Sequence, residues 1–447
     1  MVSRACQAAL RGSMLDVGVL PQIDVKRIVR DASALQVHVQ QRNASQVDFG
    51  RIAGLSREHD NMVRARQQLE RQRNASTGGV APASDLREQA RVTKQKVQDL
   101  RALEHRVHHL LLEECAKVPN VSHVDSPVGD EANARVVKAF GQRREFPEGF
   151  RIRDHVELGA ALDWFDFANA AAASGSHCVF LKNEAVFLEQ ALINWTLQEV
   201  VRKKFTALNP GSLVHAHALE RCGFQPRSDD PSNAVYHIAG STLCLSGTGE
   251  IPLAMTLYDK IIDPQSLPIR YVGVSPCFRT ELSSGAASRG LYRLHQFNKV
   301  EMFAACELDD ADAMHLEIAR IQVELCEKLG LHGRLMEMPT EELGAAAHRK
   351  LDVEAWMPGR GRDSYGEIMS ASNCTDYQSR RLNARIKLPS TPRRFIGTAN
   401  GTACAVPRMI IAIMEQFQDE DGSVDIPPVL QPFMGGTTRV TPRTPVS

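Results

Sequence analysis

The sequence has little that would mark a secreted, membrane or metal-thiolate protein. Its ten cysteines (6, 115, 178, 222, 244, 277, 306, 326, 374, 404) contain no C-x-x-C and no paired spacing. That pattern excludes a cysteine zinc site and offers no disulfide framework. It reads as buried or free thiols of a reducing compartment. No run approaches the ~18 apolar residues of a membrane span. Net charge is missing too, because 53 basic and 53 acidic residues cancel. A zero balance neither requires nor excludes a nucleic-acid partner, since local patches decide that. Aromatic side chains are sparse, at 6% of the chain.

What is present is ordinary soluble-protein material, 43% hydrophobic and 24% charged. At 447 residues the chain is long enough for two or three domains. The first 20 residues, with Arg4 and Arg11 and no acid before Asp16, fit a mitochondrial transit segment. They fit an untargeted terminus equally well. From Phe49 to Ser76 the pattern is helical: Leu55, Met62 and Leu69 repeat every seven, with Ile52 a turn earlier. Ser76–Ser84 breaks it with Gly78, Gly79 and Pro82. Ser84 is placed to cap a second helix. There Leu86, Ala90, Val97, Leu100, Val107 and Leu111 keep four-and-three spacing, with Thr93 and Glu104 in the two missing places. The two helices predict an antiparallel coiled-coil arm within residues 21–118. Between Arg51 and Arg106, twelve basic residues stand against seven acids. A modest surplus is usually a solvated face, but it also suits RNA phosphates. Residues 119–150 are polar and poorly periodic and read as a linker.

The most informative stretch is CFRTELSSGAASRGLYRLHQFNKVEMF, Cys277–Phe303. Two β-prone runs, Val272–Glu281 and Leu291–Phe303, flank the small-residue loop Ser283–Gly290, which predicts a hairpin. Strand alternation puts Arg279 and Glu281 on one face. It also groups Arg293, His295, Phe297, Lys299 and Glu301, and turns Leu294, Gln296, Asn298, Val300 and Met302 the other way. Charged strand faces mostly lie in water. Here one face gathers guanidinium groups, a ring and carboxylates, which suit phosphates, a nucleobase and an ammonium respectively.

FRTE followed by RGLYRLHQFNKVEMF resembles motif 2 of the class II aminoacyl-tRNA synthetases, in the form found in seryl-tRNA synthetases. The resemblance extends over about Val121–Phe433. It implies an α+β fold, with a class II antiparallel sheet flanked by helices and preceded by the coiled-coil arm. The catalytic domain would span 151–436 and a disordered tail 437–447. The helix expected at Ala185–Lys203 resembles motif 1, which implies a homodimer. SGTGEIPLA, Ser246–Ala254, resembles the serine-binding T-A-E segment with Gly249 in place of Ala, which leaves slightly more room. GEIMS resembles the segment that contacts ATP and metal, with Met369 departing from Ser. TANGTACAVPR resembles motif 3, with Pro407 in place of Gly just before Arg408. Proline is tolerated in a first helical turn.

The resemblance then implies the site. Serine would lie among Thr248, Glu250, Arg279, Glu301, Asn400 and Thr402. ATP would lie among Arg279, Glu281, Phe297, Glu367, Ser370 and Arg408. Arg279 would hold the α-phosphate and Arg408 the γ-phosphate; these two are the candidate catalytic residues. Phe297 would stack on adenine, and Glu367 and Ser370 would hold Mg²⁺. Partners would be serine, ATP and a serine tRNA, with no membrane. TACAVPR, ASNCTDYQSRR and EAWMPGRGR resemble mitochondrial forms and, with the N-terminus, imply the mitochondrial matrix. A second reading is a catalytically silent paralogue that binds RNA or protein, with Gly249, Met369 and Pro407 as candidate lesions.

Overall fold

The computed structural model describes residues 19–44, 46–75, 83–224, 235–281, 289–388 and 393–443. The transit expectation for 1–20, the turn at Ser76–Ser84 and the loop Ser283–Gly290 fall largely outside these residues. The chain divides into two compact units, Pro21–Pro119 and, with the first 20 residues, Asn120–Ser447.

In the first unit α1 (Phe49–Ala75) pairs with α2 (Ala83–Ala116). The helix begins one residue before Ser84, so Ser84 lies inside it and does not cap it. Ile52, Val97, Val107 and Leu111 are buried at the heptad seam, as the spacing predicts. Glu104, in a polar gap of that seam, receives Arg66 Nε of the other helix at 2.6 Å. Arg101 Nη2 meets Glu70 at 2.7 Å, so the pairing is antiparallel. The short helices Val25–Arg30 and Ala32–Gln41 close a small core, with Ile28 and Val39 against Ile52, Leu111 and Cys115.

The second unit is built on an eight-stranded sheet. Its strands are β1 (Arg135–Phe140), β2 (Thr206–Ala207), β3 (Ile269–Phe278), β4 (Gln296–Cys306), β5 (Gly333–Glu337), β6 (Arg349–Trp356), β7 (Tyr365–Thr375) and β8 (Gly397–Ala405). Their order is β1-β5-β6-β7-β8-β4-β3-β2, antiparallel except for the terminal β2–β3 pair. The predicted hairpin is β3–β4, with Cys277 opposite Phe297 and Gly273 opposite Glu301. Its strands are shifted from the expected runs, so Arg293 and His295 precede β4. On β4, Val300, Met302 and Ala304 enter the main core with helices α3 (Glu184–Arg202) and α4 (Ala311–Lys328). Phe303 and Ala305 face a second core containing Leu219, Ile251 and Leu253. Helix α5 (Val406–Gln416) follows β8 directly and carries Pro407 in its first turn without a break.

Two stretches differ from expectation. Strand β1 lies inside the supposed linker 119–150. Five of its six residues are exposed, so RVVKAF shows no apolar alternation to betray an edge strand. The tail 437–447 is not disordered throughout: Arg439–Val440 pairs with Val424–Asp425. Arg443 then donates from its backbone to Ala161 O at 2.9 Å and from both Nη atoms to Glu184 at 2.8 and 2.9 Å. Burial would raise the Glu184 carboxyl, but the Arg443 hydrogen bond outweighs it and holds the group at about 2. Eight of the nine described cysteines are buried.

Candidate active site

Strands β4, β7 and β8, the segment that follows β3, the segment that enters β4 and the start of α5 surround one cleft. Arg279, Glu281, Phe297, Glu367, Ser370, Thr402 and Arg408 all line it. Residues more than a hundred positions apart thus meet because β8 lies between β4 and β7.

The entrance is cationic and aromatic. Arg279 lies over the Phe297 ring, with Cζ 5.4 Å from its centroid, and its Nε donates to Gly247 O at 3.3 Å. Arg408 donates to the Glu367 carboxylate at 3.2 Å and to its carbonyl at 3.0 Å. Arg408 and Arg360 also lie 4.5 and 4.2 Å from the Tyr292 ring centroid. Arg293 pairs with Glu281 at 3.2 Å. His295, expected on the same face as Phe297, instead meets the Tyr236 hydroxyl and Arg279 O at 3.1 and 3.0 Å. Arg289 is held by Asp154 at 2.9 Å.

Beneath the entrance lies a buried polar cluster. Lys299 Nζ donates to Thr248 Oγ1 at 2.7 Å and is ion-paired with Glu301. Thr248 Oγ1 donates to Glu301 at 3.3 Å. Glu301 and Thr402 are cross-strand partners. Glu250 stands beside this group and accepts from Asn400 Nδ2 at 2.9 Å and Gln378 Nε2 at 2.5 Å. Burial, and then the Glu301 carboxylate, push Glu250 up to about 7. Gly249 does not leave room here: an added Cβ would lie 2.9 Å from Ser275 Oγ and 3.3 Å from Glu301 Cβ.

A second charged cluster underlies Glu367. Burial raises a carboxyl, but Arg408, Lys350 and Arg279 together hold Glu367 at about 2 and therefore ionised. Lys350 Nζ is 2.9 Å from Asp352 Oδ2, and Asp352 is the cross-strand partner of Ser370. Asp352 Oδ1 is buried and has no hydrogen-bond partner among the described residues. An ionised carboxylate, a hydroxyl and an orphaned carboxylate oxygen form an oxygen-only donor set, which fits Mg²⁺. Met369, between Glu367 and Ser370, is buried in the main core.

The exit from the loop is fixed by His155. Its Nε2 accepts from Leu291 N–H at 3.2 Å, so Nδ1 carries the proton toward Glu415 Oε1, 3.0 Å away. Gly290 has φ +67°, and a Cβ there would lie 2.2 Å from His155 Nε2, so only glycine fits. Lys299, Gln378, Tyr292, Asp352 and His155 were not assigned from sequence. Lys299 and Tyr292 lie inside the motif 2 resemblance; His155, Asp352 and Gln378 lie inside its wider span, but carry no local signal of their role beyond a ring, a charge or an amide.

Comparison with known proteins agrees with this geometry. Residues 237–417 match the family described as tRNA synthetase class II core domain (G, H, P, S and T). The chain is 38% identical over 421 residues to "Serine--tRNA ligase" of Treponema denticola, covering 92% of this chain and 99% of that protein. It is 41% identical over 366 residues to "Serine--tRNA ligase, mitochondrial" of Mus musculus, covering 81% and 69% respectively. The crystal structure of seryl-tRNA synthetase from Pyrococcus horikoshii complexed with ATP superposes with a TM-score of 0.86 at 32% identity, covering 94% of this chain and 99% of that one. The chain therefore belongs to the seryl-tRNA synthetases, the ATP-dependent serine–tRNA ligases of class II.

Proposed function

We propose that the chain activates serine with ATP and transfers the seryl group to the 3′-terminal ribose of a serine tRNA in the mitochondrial matrix. The observation that carries this reading is the convergence of Arg279, Phe297, Glu367 and Arg408 on a cleft that opens onto the buried Thr248–Lys299–Glu301 cluster. A serine carboxylate oxygen attacks the α-phosphorus of ATP, and pyrophosphate leaves. Arg279 holds the α-phosphate and the serine carboxylate. Phe297 stacks on adenine and Glu281 meets its amino edge. Arg408 holds the γ-phosphate, with Arg293 as a further cation at the entrance. Glu367 and Ser370 hold Mg²⁺, which when bound neutralises phosphate charge. Glu250, Glu301, Asn400 and Thr402 line the serine side. A pocket that hydrogen-bonds a hydroxyl rejects the analogue that lacks it. Positioning and charge stabilisation supply the rate.

Exposed arm cations support tRNA contact. Arg57, Arg64, Arg71, Lys94, Lys96 and Arg106 make no ion pair among the described residues. A homodimer is supported by Val186, Phe187 and Val201, large apolar side chains exposed on α3. Mitochondrial location rests on the Arg-bearing, acid-poor N-terminus and on the likeness to the mouse mitochondrial protein. Bacterial relatives are equally close.

The test is serine-dependent pyrophosphate exchange, followed by charging of a mitochondrial serine tRNA. Arg279→Ala should lower exchange by at least about a hundredfold, the scale of losing one charge-stabilising donor. Unchanged exchange in that variant would sink the assignment. tRNA binding without any seryl-adenylate in the wild-type chain would point to a silent paralogue.

A further inference from the structure

Away from the cleft, three metal-ligating side chains meet where the segment after the arm, the first turn of α4 and the start of β6 come together. They are His123, Asp312 and His348, and one ligand atom from each lies within 4.8 Å of the others. The backbone clamps them. His123 N–H donates to His348 O at 2.8 Å, and His348 N–H donates to Asn373 O at 2.7 Å. Asn373 Nδ2 in turn holds Asp312 Oδ1 at 2.7 Å, leaving Oδ2 for another partner. The two imidazole rings stand edge to face, 5.2 Å apart.

The surrounding groups suit a dication. His348 Nδ1 lies against Val121 O, so that nitrogen carries the proton. His123 Nδ1 accepts from Asp125 N–H at 3.0 Å and lies 3.7 Å from the Asp125 carboxylate. With Nε2 on a metal, the ring proton would move to Nδ1, which would give up the Asp125 N–H bond for that carboxylate. This is the usual carboxylate–histidine–metal arrangement. Arg349 is the adverse charge nearby, 3.8 Å from Asp125, but it is doubly bonded to Glu337. One turn along α4, His315 is fully buried; its Nε2 donates to Ala371 O at 3.0 Å. Its Nδ1 acceptor has no partner among the described residues.

We propose that His123, Asp312 and His348 form a structural site for one dication of the zinc class. Two imidazoles and a carboxylate suit Zn²⁺, with water completing the shell, whereas Mg²⁺ and Ca²⁺ favour all-oxygen sets. The ion ties the segment entering the catalytic unit to its sheet and to α4.

The test uses the full chain stripped with EDTA. Zn²⁺ titration followed by calorimetry should show one ion per chain, Co²⁺ should give a visible absorption band, and Zn²⁺ should raise the Tm. Mg²⁺ should not reproduce the rise. His348→Ala and the near-isosteric Asp312→Asn should each weaken uptake at least about tenfold and abolish the rise, with pyrophosphate exchange kept. On α2 the His105 and His109 Nε2 atoms are 3.2 Å apart, a rival chelating pair. His105→Ala should leave uptake intact. The proposal is overturned if the wild type takes up no stoichiometric Zn²⁺, if both site variants bind it as the wild type does, or if uptake follows His105.

Discussion

At the scale of single residues, Gly249 is where chemistry and packing disagree most with a plain reading of the sequence. A glycine suggests spare room, yet Ser275 Oγ and Glu301 Cβ already occupy the place of the missing methyl. Gly249→Ala should therefore displace Glu301 and raise the KM for serine by tenfold or more, on the order of what small misplacements cost. Adding Ser275→Ala removes the nearer atom and should recover most of the loss. The KM for serine in pyrophosphate exchange decides this, and an unchanged value in the single variant would refute it. The residues proposed to hold substrate were legible because arginine, phenylalanine and glutamate at fixed spacing in one motif are chemically unusual. The residues that orient them were not. Lys299 reads as one more charge on a strand, and its value lies in Thr248 and Glu301, which only the fold brings to it. Gln378 is likewise anonymous until it meets Glu250.

At the scale of elements, the arm was the easiest to read, because its heptads are long and its apolar positions repeat. Even its polar interruption is accounted for: Glu104 at the seam has Arg66 across from it. A charge at a buried seam position without such a partner should unwind the pair. Val107→Asp is expected to lower helical circular dichroism and to raise the KM for tRNA by about tenfold or more, with pyrophosphate exchange unchanged. A loss of exchange, or unaltered tRNA charging, would contradict the division of labour between arm and cleft. The elements that escaped are those whose stability comes from distant partners. Strand β1 is polar along most of its length and exists because β5 offers it hydrogen bonds. The tail is basic and proline-containing, yet Arg439, Val440 and Arg443 are anchored through residues far away in sequence. Composition describes local preference, and neither segment is governed by it.

At the scale of the whole molecule, the exposed apolar face of α3 is the surface that the proposed dimer would cover. Phe187 is 61% exposed, which is costly for a side chain of its size. Phe187→Glu should shift the protein to half its mass in sedimentation equilibrium while leaving the thermal transition of the separate subunit intact. A wild-type chain that already sediments as a monomer would remove the case for a dimer. The class of fold was legible from the motifs, but the strand order was not, since alternation says which face a side chain takes and nothing about which strand lies beside it. That order has a consequence in time. Strand β8, which carries Asn400 and Thr402, is the last of the eight to be synthesised and takes a place in the middle, between β4 and β7. Until it emerges, both neighbours present bare hydrogen-bonding edges, and the two halves of the sheet have nothing to join them. Pairing across such sequence distances is slow and leaves sticky intermediates. A growing chain thus cannot hold a partly working site; catalytic competence arrives in one step, when the final strand slides home.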